Sequence, residues 1–91
     1  MVEGSSALIL ERVQIPMAFI GGPLNLERIP AELLKLREFE AFIPGTYERT
    51  LYIKVVFLLP NRPNDDFIFY VERSSVSLDQ ATEIIKANFF K

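Results

Sequence analysis

The chain has 91 residues, of which 49% are hydrophobic and 24% charged, and its ten basic and twelve acidic residues give a net charge of -2. This length predicts one domain over residues 1–91, with the small, polar residues 1–6 disordered. The acidic balance argues against a dedicated nucleic-acid binder, which needs a positive face to neutralise phosphates. The apolar content is more than a small monomer needs to bury, and it therefore predicts a subunit or partner interface.

The residue types that are missing exclude the commonest enzyme chemistry. The sequence has no histidine and no cysteine, so it can form neither a Ser-His nor a Cys-His nucleophile pair, nor an ordinary zinc site. We therefore predict a protein that is not an enzyme and that holds no cofactor or metal. The absence of cysteine fits a reducing cytoplasmic location. Every charge-free run is too short for a helix that crosses a bilayer, which takes about twenty apolar residues.

The first predicted element is a strand over residues 7–20. Pro16 lies inside it and cannot donate a ladder hydrogen bond, which indicates an edge strand or a bulge at that point. Gly21-Gly22-Pro23 ends the strand as a tight turn, because these residues match neither of the glycine-rich phosphate-binding motifs. The apolar residues of the strand that share one parity are Ile9, Val13, Ile15, Met17 and Phe19.

A helix is predicted over residues 30–42. Pro30 fits the first turn of a helix, where its missing N–H is not needed, and Pro44-Gly45 ends the segment. The apolar stripe of this helix consists of Leu33, Leu36, Phe39 and Ile43, which lie three to four residues apart.

A hairpin is predicted next, with strands over residues 47–59 and 67–73 joined by a polar turn over residues 61–66. Placing Phe57 opposite Phe69 also places Lys54 opposite Glu72, which forms a favourable cross-strand ion pair. The predicted core face of the hairpin consists of Leu51, Ile53, Val55 and Phe57 on the first strand and Phe67, Phe69 and Val71 on the second.

The last predicted element is a helix that begins at Ser77. Ser77 and Gln80 match a capping box, and Val76 is placed to pack on Ala81 as a hydrophobic staple. The predicted buried face consists of Leu78, Ala81, Ile84, Ile85 and Phe89. Phe90 projects about 100° away from Phe89 on a helix, so one of the two is either a docking residue or part of a wide buried face.

The order strand, helix, strand, strand, helix predicts an α+β two-layer sandwich, in which a small, mainly antiparallel sheet has both helices on one face. This β-α-β-β-α order resembles a ferredoxin-like domain that stops one strand early. A resemblance in element order alone implies nothing about function.

Two function classes follow from the sequence. The first is a non-catalytic protein-interaction module, which pairs with a second copy or another protein through a sheet edge or an apolar surface. The second is a nucleic-acid-binding or regulatory accessory protein that uses the outer sheet face, with Tyr52, Lys54 and Tyr70 as the contact residues. The candidate interface residues for the first class are Ile15, Met17, Phe19, Val56, Leu58, Phe89 and Phe90.

Overall fold

The computed structural model describes residues 12–90, and the disorder predicted for residues 1–6 lies outside this range. The described elements are β1 (Val13–Ile20), β2 (Glu38–Phe42), β3 (Arg49–Leu59), β4 (Arg62–Glu72) and α1 (Leu78–Phe89), with short 3-10 helices at Gly22–Leu24 and Ala31–Lys35. The strands form one mixed sheet, curved as a half-barrel, in the order β1-β4-β3-β2. In this sheet β1 runs parallel to β4, and the other neighbours are antiparallel.

The predicted two-layer sandwich with two helices on one face of a mainly antiparallel sheet is wrong. The described residues contain one α-helix, and strands account for 46% of the structure. Each face of the sheet has its own cover and its own buried cluster. We call the face under α1 the helix face, and the face under the irregular segment 22–36 the tyrosine face, because Tyr52 and Tyr70 lie at its centre.

The helix predicted over residues 30–42 does not form. Only Ala31–Lys35 is helical, as a 3-10 helix, and the backbone at Leu36 is already extended. The remainder becomes β2, in which Phe39 and Ala41 are more buried than Glu38 and Glu40. This alternation suits a strand, and pairing with β3 satisfies the backbone groups that a helix would have satisfied internally. Tertiary pairing therefore overrides the helical spacing of the leucines.

The prediction from Pro16 is confirmed, because β1 is an edge strand and its register against β4 shifts between Pro16 and Ala18. The shift changes which side chains share a face. Ala18 and Ile20 join the helix face, whereas Phe19 packs on the tyrosine face. The prediction that Phe19 lies on the same face of the sheet as Ile15 is therefore wrong.

The β3–β4 hairpin has the predicted parity but a different register. Phe57 lies opposite Phe67, and Lys54 lies opposite Tyr70. The register differs from the prediction by two residues, so the parity of the predicted core face is kept while the ion pair between Lys54 and Glu72 is lost. The prediction of Leu51 as a core residue is wrong, because Leu51 is 40% exposed and, like Ile53, lies outside the helix-face cluster. The ladder extends to the pair Leu59 and Arg62, because β4 begins earlier than predicted and the turn is reduced to two residues, Pro60 and Asn61.

The helix α1 begins at the predicted capping box. Ser77 Oγ accepts from the backbone N–H of Gln80 at 3.1 Å, and Gln80 Oε1 accepts from the backbone N–H of Ser77 at 2.9 Å. Ala81 and Ile85 are buried against the sheet, but Leu78 is 46% exposed and does not belong to the buried face. Both Phe89 and Phe90 pack in the helix-face cluster, because the backbone leaves helical geometry at Phe90.

Candidate functional site

The two tyrosines predicted for an exposed outer face are fully buried. Tyr52 Oη donates to the carbonyl oxygen of Gly21 at 2.7 Å and accepts from the backbone N–H of Leu24 at 3.0 Å. Tyr70 Oη lies 2.6 Å from the carbonyl oxygen of Leu33 and 2.5 Å from that of Leu36. Burial raises the pKa of both hydroxyls. Both side chains therefore fasten the irregular cover to the sheet, and neither presents a ring to a ligand.

Lys54 also bonds to the irregular segment 22–36. Its Nζ donates to the carbonyl oxygen of Leu34 at 2.5 Å, and the side chain is half-buried. The three residues of the predicted nucleic-acid face are thus close together, but the segment 22–36 covers the surface that they were predicted to form. The prediction of an exposed contact face is wrong because sequence alternation alone does not tell which face a loop covers.

A buried carboxylate, Glu72, lies where β4 ends and is only 6% exposed. One of its oxygens accepts from the N–H and Oγ of Ser75 at 2.8 and 3.0 Å, and the other accepts from Ser74 Oγ at 2.5 Å. Thr50 Oγ1 lies 3.5 Å away. The hydrogen bond from Ser74 is the largest cause that lowers the pKa of Glu72. Since both oxygens are engaged, the carboxylate holds the turn before α1 and has no free lone pair directed at a substrate.

The glycine that follows β1 closes this polar cluster. Gly22 has a φ of +66°, and a Cβ at this position would lie 2.6 Å from Tyr52 Oη and 3.2 Å from Glu72 Cγ. Only glycine fits such a close approach at a positive φ. The Gly21-Gly22 pair predicted as a tight turn therefore serves the packing of the tyrosine face.

The candidate interface residues are divided between core and surface. Phe19 is buried in the tyrosine face, and Ile15, Met17, Phe89 and Phe90 are half-buried against the helix face. The ring of Phe90 stacks on Phe57 at 5.1 Å between centroids. Only Val56 and Leu58 present large exposed fractions, 46% and 57% respectively.

Val56 and Leu58 lie on a part of β3 that has no neighbour on one side. The strand β2 pairs with β3 as far as Ile53, and the last contact on that side is the hydrogen bond from Lys54 N–H to the carbonyl oxygen of Arg37, at 2.9 Å. Beyond Lys54, no strand within residues 12–90 pairs with this side of β3. We call residues 55–59, which include no charged residue, the β3 free edge.

The other two sheet edges are protected. At β1, the backbone N–H of Leu26 donates to the carbonyl oxygen of Phe19 at 2.6 Å, and the N–H of Phe19 donates to that of Glu27 at 3.0 Å. The first half of β1 contains Pro16 and the bulge. The edge β2 contains Glu38 and Glu40. Charge, proline, bulges and covering segments are the usual means of blunting an edge, so the β3 free edge is the least protected edge among the described residues.

A second surface feature lies beside the start of α1. It is an open cavity of about 350 Å³ lined by Ser75, Val76, Gln80, Glu83 and Ile84. Its apolar part is contributed by Val76 and Ile84, which also pack on the helix-face cluster. Within residues 12–90, no three histidine, cysteine or acidic residues come together as a metal site. No helix in this part of the chain is long and apolar enough to cross a membrane.

The sequence contained one signal for the β3 free edge. The alternation of apolar and polar residues in β3 stops at Val55, after which both faces of the strand are apolar. Such a run is typical of a strand that is buried on both faces. It does not reveal that the neighbouring strand ends at Lys54, because that depends on β2, which sequence reasoning missed. Comparison of the chain with protein-family models, with curated protein sequences and with solved structures found no match.

Proposed function

We propose that the protein is a non-catalytic protein-interaction module that self-associates through the β3 free edge. The observation that carries the proposal is an uncharged strand segment that has two exposed apolar residues, Val56 and Leu58, and one side that no strand within residues 12–90 pairs with. An unpaired strand offers N–H and C=O groups to another chain, and exposed apolar side chains add favourable burial. A cytoplasmic location is part of the proposal, because a chain without cysteine suits a reducing compartment.

The energetics favour strand addition at this edge over a contact through side chains alone. Full burial of a Val or Leu side chain contributes about 1.5–3 kcal/mol, and Val56 and Leu58 are each about half exposed. Their burial therefore contributes on the order of 1 kcal/mol each. New backbone hydrogen bonds add about 0.5–1.5 kcal/mol each. Since association itself costs several kcal/mol, the expected affinity is modest.

No specific observation favours the alternative function, nucleic-acid binding through the outer sheet face. Base stacking needs exposed aromatic rings next to positive charge, whereas Tyr52 and Tyr70 are fully buried. Tyr47, at 99% the most exposed ring, lies in the loop before β3. The ring of Phe42 is 63% exposed and lies 5.3 Å from the guanidinium of Arg49, but the charge of Arg49 is paired with Glu40 at 3.2 Å.

Sedimentation equilibrium tests the proposal. We expect the wild-type chain to sediment above its monomer mass of 10.5 kDa at micromolar concentration. Its apparent mass should rise further toward that of the dimer as the protein concentration is increased. Val56→Lys places a charge on the β3 free edge and should return the protein to the monomer. Leu78→Lys is the matched control, because Leu78 has the same 46% exposure but lies on α1.

The control should self-associate like the wild type. A wild-type chain that remains monomeric over a tenfold concentration range would remove self-association from the proposal. A dimer that survives Val56→Lys would move the interface to another surface. Circular dichroism of each variant shows whether the fold is kept.

A further inference from the structure

We infer that the pairing is antiparallel and two-fold, with residues 55–59 of one copy beside residues 59–55 of the second copy and Phe57 on the axis. This inference rests on the proposed function and deepens it, because it names the partner segment and its register. It follows from the length of the vacant edge, from the direction of the backbone groups and from the positions of the nearest charges.

The vacant edge is closed at both ends, which limits what can occupy it. At one end Lys54 N–H is already bonded to the carbonyl oxygen of Arg37, and at the other end the chain turns at Pro60 and Asn61 into β4. An added strand must therefore leave the sheet after running past residues 59 to 55. A second copy does this, because its own turn at Pro60 and Asn61 comes beside Lys54 and carries its chain away from β2.

The backbone groups of the β3 free edge suit this register. N–H and C=O groups alternate sides along a strand, and Lys54 directs its N–H toward the β2 side. The same alternation directs the groups of Val56 toward the vacant side. The ladder with β4 is irregular between Phe57 and Leu59, and the proposed register takes the groups of Leu58 to point to the vacant side as well. In the proposed register Val56 lies opposite Leu58 of the second copy, so the two residues exchange hydrogen bonds in both directions. If the second copy were shifted by one hydrogen-bonded pair toward Arg37, it would need the N–H of Lys54. This N–H already donates to the carbonyl oxygen of Arg37.

Charge does not oppose the symmetric approach. Residues 55–59 are uncharged in both copies, and the two Lys54 side chains, which border this run on β3, lie at opposite ends of the contact. At about 3.4 Å per residue they lie roughly 20 Å apart along the strands, which exceeds the screening length of about 8 Å at physiological salt. The paired edge also brings the exposed side chains of Val56 and Leu58 together on one face, where each covers the other.

The size of the contact sets its strength. A standard stable interface buries about 800 Å² on each partner, and one short strand with two half-exposed side chains provides less. We therefore expect a reversible dimer with micromolar affinity, in which concentration decides how much of the protein is paired.

Disulfide trapping measures the register directly. The chain has no cysteine, so each introduced thiol is unique. We compare Val56→Cys and Leu58→Cys, one of them carrying an affinity tag so that mixed dimers differ in size. In the proposed register the Cα atoms of residue 56 in one copy and residue 58 in the other lie about 5.5 Å apart, a distance that a disulfide can span. Residue 56 and its own counterpart in the second copy are diagonal neighbours, about 7–8 Å apart.

Under mild oxidation by a glutathione redox buffer, the mixed 56–58 disulfide should form several-fold faster than either like pair. Leu78→Cys on α1 is the control, and it should form no disulfide at a comparable rate. If Val56→Cys pairs fastest with itself, the register is wrong. If no variant is trapped while the wild type still sediments as a dimer, the edge pairing is overturned but self-association survives. If the wild type is a monomer, the proposed function itself fails.

Discussion

The two faces of the sheet are closed by covers of different kinds. On the tyrosine face the cover is the irregular segment 22–36, and the buried side chains of Tyr52 and Tyr70 end in hydroxyl groups that bond to backbone atoms of this segment. Tyr52 accepts from the N–H of Leu24 and donates to Gly21, which directly precedes the segment, and Tyr70 bonds to the carbonyl oxygens of Leu33 and Leu36. On the helix face the cover is α1, and the sheet presents the apolar rings of Phe67 and Phe69.

The difference has a physical cause. A helix pairs its own backbone groups, so the surface beneath it needs only apolar side chains. An irregular segment leaves carbonyl oxygens without backbone partners, and a buried oxygen without a partner costs about 1–3 kcal/mol. Tyrosine fills the same volume as phenylalanine and supplies the missing donor. The hydroxyl groups at Tyr52 and Tyr70 therefore follow from the irregular cover, whereas Phe19 on the same face contributes only an apolar ring.

Removing a ring from the helix face should have the largest effect. Phe69 is fully buried and packs against Phe89 at 5.4 Å and Phe57 at 6.4 Å between centroids. Phe69→Ala should lower the free energy of unfolding by about 3–5 kcal/mol, through lost burial and the cavity left behind. Phe57→Ala is the comparison, and it should cost less because Phe57 is only half-buried. Urea unfolding followed by circular dichroism measures both, and equal losses would contradict the assignment of Phe69 to the centre of the face.

Removing one hydroxyl from the tyrosine face tests the role of its cover. Tyr70→Phe leaves the ring in place but removes the donor to the carbonyl oxygens of Leu33 and Leu36. We expect a loss of about 1–3 kcal/mol in the free energy of unfolding, because Tyr70 is fully buried and the removal of its hydroxyl takes this donor from the carbonyl oxygen of Leu36, while that of Leu33 keeps the bond from Leu36 N–H. Tyr47→Phe is the control, since Tyr47 is 99% exposed. An unchanged stability of Tyr70→Phe would mean that water replaces the hydroxyl and that the two covers do not differ as described.

The turn that attaches α1 to the sheet should give a smaller effect that depends on pH. The pKa of Glu72 is lowered in the folded protein, first by the hydrogen bond from Ser74. A lowered folded-state pKa means that the carboxylate stabilises the fold above its unfolded pKa of about 4.3. This contribution is lost as the pH falls through the folded-state pKa.

Glu72→Gln should therefore cost about 1–2 kcal/mol at pH 7, and the difference from the wild type should narrow as the pH falls below about 4.3. Other groups also change the free energy of unfolding with pH, such as Asp66, whose pKa is lowered first by the hydrogen bond from Arg12. Their contributions are the same in the wild type and the variant, so they cancel in the difference between the two. Glu83→Gln on the exposed side of α1 serves as the control and should change stability by less than about 0.5 kcal/mol. A difference that stays constant from pH 7 to pH 3 would contradict the role of the ionised carboxylate.

Features set by short-range patterns were predictable from the sequence. The capping box at Ser77 and Gln80 needs only local spacing, and the Pro16 irregularity follows from the missing N–H of proline. The parity of the hairpin core was also predicted correctly, because the side chains of a strand alternate and an even register shift does not change their faces.

Features that depend on distant neighbours were decided by the tertiary structure. The apolar residues in 30–42 have a spacing that suits a helix, and only the pairing with β3 satisfies the backbone groups of Glu38–Phe42 in the extended form. The burial of Tyr70 depends on the loop that crosses above it, and the β3 free edge exists because β2 ends beside Lys54. The sequence by itself determined the alternation of side chains in the hairpin and the uncharged run from Val55. Which of these surfaces was covered depended on contacts between segments far apart in the chain, which no local pattern encodes.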